Sequence, residues 1–96
     1  AENVVLIELK RRGKEVYYWK SKKQHEIDFI IKDQDTFIAI NVSYTDTIND
    51  REIKGLKEFK EEFGTKTKQL IILSKDVEER RDDIDIIPLW KWLIQQ

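Results

Sequence analysis

The chain has no cysteine and no methionine, and only one proline, one histidine and three glycines among 96 residues. Without cysteine, disulfide scaffolds, thiolate-ligated zinc and thiol catalysis are excluded. No apolar run approaches the roughly 18 residues that a membrane span needs, and no signal-peptide pattern opens the chain. There is no phosphate-cradling glycine-rich loop, which excludes ATP binding through a P-loop. Neither charge is in excess, since 18 Lys and Arg against 19 Asp and Glu leave a net charge of -1. That balance argues against a generally basic nucleic-acid binder and leaves room for a local basic patch. There is no Met at position 1, where Ala1-Glu2-Asn3 runs straight into an apolar segment, so the expectation is a domain cut from a longer protein. The remaining expectations are one soluble, cytoplasmic domain over residues 1–96, with no membrane partner.

What is present is apolar residues in short blocks. Val4-Val5-Leu6-Ile7-Glu8-Leu9 and then Lys10-Arg11-Arg12-Gly13 predict a helix with a basic last turn and a glycine cap. Val16-Tyr17-Tyr18-Trp19 is a β-branched and aromatic strand, and Lys20 to Gln24 a lysine-bearing turn. Glu26 to Ile31 and Thr36 to Tyr44 predict two further strands, joined so closely that they form an antiparallel hairpin. Asn49-Asp50 starts a helix bearing Ile53, Leu56, Phe59 and Phe63, and Gly64 ends it. Gln69 to Leu73 predicts a central strand, and Lys75 to Asp83 a solvated charged loop. Ile84 to Ile87 is a brief edge strand, and Pro88 opens a closing helix over Leu89 to Ile94. The class is α/β, with a central mixed sheet of four to five strands flanked by helices.

Polar residues inside these apolar blocks mark the candidate chemistry. Glu8 lies beside an apolar helix face, Asp28 sits between Ile27 and Phe29, and Asn41 and Ser43 interrupt the third strand. Alternation puts Glu26, Asp28 and Ile30 on one face of the second strand, with Ile27, Phe29 and Ile31 on the other. On the third strand, Ala39, Asn41 and Ser43 share a face, opposite Ile38, Ile40, Val42 and Tyr44. In a hairpin these polar sets lie together beneath the helix that carries Glu8. Buried carboxylates need a cation or hydrogen bonds, and hard oxygen donors of this kind suit magnesium. The alternative is that Glu8 and Asp28 pair with Lys or Arg, or cap turns, at the sheet edge. Lys10, Arg11, Arg12, Lys14, Lys20, Lys22 and Lys23 form either a basic rim attractive to phosphates or a solvated helix end and turn. His25 reads as a surface residue, and Trp19, Trp90 and Trp92 as core or inter-domain contacts.

The helical Glu8, then Glu26-Ile27-Asp28-Phe29-Ile30, then Ile40-Asn41-Val42-Ser43, resembles the PD-(D/E)XK nuclease superfamily. Glu2-Asn3-Val4-Val5, Glu8 to Gly13, Val16 to Trp19 and Ile87-Pro88-Leu89-Trp90-Lys91-Trp92-Leu93 resemble the C-terminal domain of archaeal-type AAA-family ATPases. The resemblance implies a restriction-endonuclease-like αβββαβ core and an ATPase module elsewhere in the parent chain.

Carried over by position, the resemblance makes Asp28 the metal-binding aspartate and Glu8 the acid of the first helix. Asn41 stands where active members have a metal-binding Glu or Asp, and Ser43 where they have a charge-stabilising Lys. Asn41 loses a charge that magnesium affinity depends on, and Ser43 offers no cation to a developing phosphorane. The metal set is then Asp28 and Glu8, with Glu26 as a partial replacement, and magnesium is weakly held or absent. Lys20, Lys22 or Lys23 is a candidate migrated cation. The implied function is a degenerate, non-catalytic domain that binds nucleic acid through Lys10, Arg11, Arg12, Lys20, Lys22 and Lys23, or that regulates the ATPase. The alternatives are an active magnesium-dependent endonuclease with a displaced lysine, and a structural protein-interaction domain.

Overall fold

A computed structural model describes residues 1–45 and 47–95. The order is α1 (Glu2–Arg11), β1 (Val16–Lys20), β2 (Glu26–Asp33), β3 (Thr36–Ser43), α2 (Asp50–Phe63), a 3₁₀ turn (Gly64–Lys66), β4 (Thr67–Ser74), β5 (Glu79–Arg81), β6 (Ile84–Pro88) and α3 (Leu89–Ile94). Local chemistry sets the boundaries. The Asn49 side chain accepts the Arg51 N–H at 2.9 Å and so caps α2. Gly13 and Gly64 follow α1 and α2 at φ +74° and +54°, values that a side chain would oppose.

The strands form one mixed six-stranded sheet in the order β1-β2-β3-β4-β6-β5. β1, β2 and β3 are antiparallel neighbours, whereas β3, β4 and β6 run parallel. The helix α2 supplies the crossover from β3 to β4 that parallel pairing requires. α1 and α3 cover one face, burying Val5, Leu9, Leu89 and Trp92 against Phe29, Ile31, Ile40, Ile71 and Leu73. α2 covers the other, where Leu56 and Phe59 meet Ile27, Ile30, Ala39, Leu70, Ile72, Ile84 and Ile86. Trp19 and Phe37 set their rings edge-on to Phe59 at 5.3 and 6.2 Å, which ties the edge strand into that layer. No helix among the described residues is long and apolar enough to cross a membrane.

The sheet departs from expectation in three ways. It has six strands rather than four to five, because β5 lies inside the charged stretch expected to be a loop. Its three side chains are all exposed, so backbone pairing with β6 and the Arg80–Asp85 ion pair across the two strands define it, and composition carries no trace of that. β6 is not an edge but lies between β4 and β5, with Ile84 and Ile86 buried. The third departure is a β-bulge. Tyr17 pairs with Ile30 and Trp19 with Ile27, so two steps along β1 match three along β2. Ile27 therefore joins Ile30 on the α2 face while Phe29 and Ile31 pack under α1. The strict alternation expected for β2 fails at Asp28.

Candidate functional site

The bulge frees Asp28 from the ladder, and side chains take over where backbone pairing stops. Registered pairing of β2 with β3 ends at Phe29 and Ile40. Beyond it, the Asp28 N–H donates to Asn41 Oδ1 at 2.9 Å, and the Val42 N–H donates to Asp28 Oδ2 at 2.8 Å. Asn41 Nδ2 donates to the Glu52 carbonyl of α2 at 3.2 Å. Asn41 is fully buried, so its amide joins β2, β3 and α2 with both its oxygen and its nitrogen engaged. Helix α2 approaches closely here because residue 55 is glycine. A Cβ on Gly55 would lie 3.2 Å from the Glu26 carbonyl and 3.8 Å from Asn41 Nδ2.

Carboxyl groups gather around this junction. Burial pushes Asp28 up to about 7, against the Val42 N–H that favours the carboxylate. A hydrogen bond with the Glu2 carboxyl, and the nearby charge of Glu52, raise it further. Glu52 is itself raised, first by burial and then by Glu2, with Arg51 opposing. A cleft of about 230 Å³ opens beside them, lined by His25, Glu26, Asp28, Asn49, Arg51 and Glu52. Tyr18, at the β1 side, has its hydroxyl pKa raised, first by desolvation and then by the neighbouring Glu26. His25 is half-buried, not the plain surface residue expected, and its Nδ1 meets Glu58 of α2 at 2.9 Å.

Glu8 takes no part in this junction. Arg11 and Arg12 each donate to it at 2.6 Å, and they hold its carboxyl down at about 2. Arg12 also donates to the carbonyls of Trp92 and Gln95 at 3.0 and 2.7 Å and stacks over the Trp92 ring at 4.5 Å. Arg12 thus fastens the end of α1 to α3, and Glu8 pairs with that arginine, as the ion-pair alternative has it. The α1 acid that reaches Asp28 is Glu2, six residues and about 9 Å back along the helix axis. Its position in the first turn, before any apolar periodicity is established, gave no signal of that role.

Asp28 and Asn41 are therefore brought together, with Glu26 on the rim of the same cleft. Ser43 is buried and pairs in register with Ser74 of β4. Alternation places Asn41 and Ser43 on the face covered by α2, not beneath α1, because their neighbour Ala39 belongs to the α2 core. The basic residues do not form one rim. Lys10, Arg11 and Arg12 end α1, near the start of β1, whereas Lys20, Lys22 and Lys23 follow its other end, about 13 Å away by strand rise. Arg12, moreover, is committed to Glu8 and the α3 carbonyls.

Magnesium, the ion that the resemblance implies, meets a poor donor set. Asn41 Oδ1 and Asp28 Oδ2 each already accept a backbone N–H, and Glu2 bonds Asp28. Among the described residues, no three His, Asp or Glu side chains converge closely enough to hold a metal ion. The residues do not fit the ion.

Comparison with known proteins gives two matches. Residues 1–92 match the family described as a domain of unknown function, DUF4143. An uncharacterized protein of Haemophilus influenzae (strain ATCC 51907 / DSM 11121 / KW20 / Rd) is 34% identical over 95 residues, which cover 98% of this chain and 22% of that protein. The chain thus spans about a fifth of that relative's length. With nearly its whole length matched, the chain belongs to the DUF4143 family.

Proposed function

We propose that the chain is a degenerate, non-catalytic PD-(D/E)XK nuclease-like module that regulates an AAA-family ATPase and touches nucleic acid only weakly. The observation that carries this reading is the engagement of Asn41. At the position where a nuclease needs a free metal-binding carboxylate, a neutral amide bonds the Asp28 N–H and the Glu52 carbonyl. The order α1-β1-β2-β3-α2-β4, with β3 parallel to β4, supports the nuclease-like ancestry. The far greater length of the Haemophilus relative supports a role inside a larger protein. Contact with phosphates falls to Lys20, Lys22 and Lys23, because the cleft's acids, Glu26, Asp28 and Glu52, outnumber its one arginine, Arg51.

The test is incubation of the chain with labelled duplex and single-stranded DNA, with and without millimolar magnesium or manganese. No cleavage is expected, and binding should weaken with salt at a slope of about -3 for three phosphate contacts. Divalent-dependent cleavage that disappears in Asp28→Ala would overturn the reading and favour an active enzyme completed by Glu26 and a turn lysine.

A further inference from the structure

We draw no further inference here: the strongest candidate, the outer surface of α1 and α3 on which Val4, Ile7, Trp90 and Ile94 stand exposed, is an unpartnered apolar face, and nothing in the structure shows what covers it.

Discussion

Helix α1 carries a glutamate near each end, and the two live in opposite electrostatic worlds. Glu8 lies between two guanidinium groups that hold it ionised down to about pH 2. Glu2 faces Asp28, a carboxyl pushed up to about 7, first by burial and then by the Glu2 carboxyl beside it. One end of the helix is fastened by an ion pair, and the other sets its acid against a buried carboxyl. Identity of residue type says little here, and what packs against the carboxyl decides its state.

Asn41→Ala strikes the Asp28 end hardest. It leaves the Asp28 N–H and the Glu52 carbonyl without partners in a buried place, and urea unfolding should show a loss of about 2–4 kcal/mol. An unchanged midpoint would mean that water replaces the amide. At the other end, Arg12→Ala removes an ion pair, two carbonyl contacts and a stack on Trp92, and should cost about 2 kcal/mol in the same assay.

The pH response separates the two ends more finely. Asp28 has a folded value of about 7 above its ordinary 3.8, so the folded chain holds more protons than the unfolded one between those values. Its contribution is complete below about pH 4 and is lost as pH rises toward 7. Asp28→Asn keeps an oxygen for the Val42 N–H and should flatten that limb. At pH 8 it should raise stability by about 1–2 kcal/mol, after allowance for the half-exposed carboxyl. Glu8 has the opposite sign. Its folded value of about 2 lies below the ordinary 4.5, so its contribution stands above about pH 4.5 and is lost as pH falls toward 2. Glu8→Gln should remove that acid limb and leave the neutral limb intact, which thermal melts between pH 2 and 8 would show.

Much of the architecture was legible because burial imposes period. The stripe of Ile53, Leu56, Phe59 and Phe63, the Asn49 cap and the stop at Gly64 all follow from side-chain spacing and backbone freedom. Asp28 and Asn41 stood out as polar residues in apolar strands, and they do meet. What could not be read was the bulge, since one extra residue in β2 changes facing without changing composition. β5 was invisible for a related reason: an exposed edge strand buries nothing and so leaves no pattern. Glu8 and Glu2 were confused because sequence shows an acid on a helix but not which neighbours fold back onto it.

The Arg12 contacts also bear on how the molecule opens. α3 has six residues, too few to persist as an isolated helix, and it lies 80 positions from the arginine that grips its Trp92 carbonyl. Fraying of the last helix must therefore release the end of the first. Amide exchange in the two should rise and fall together, so that the beginning and the end of the chain behave as one kinetic unit although the whole sheet separates them in sequence.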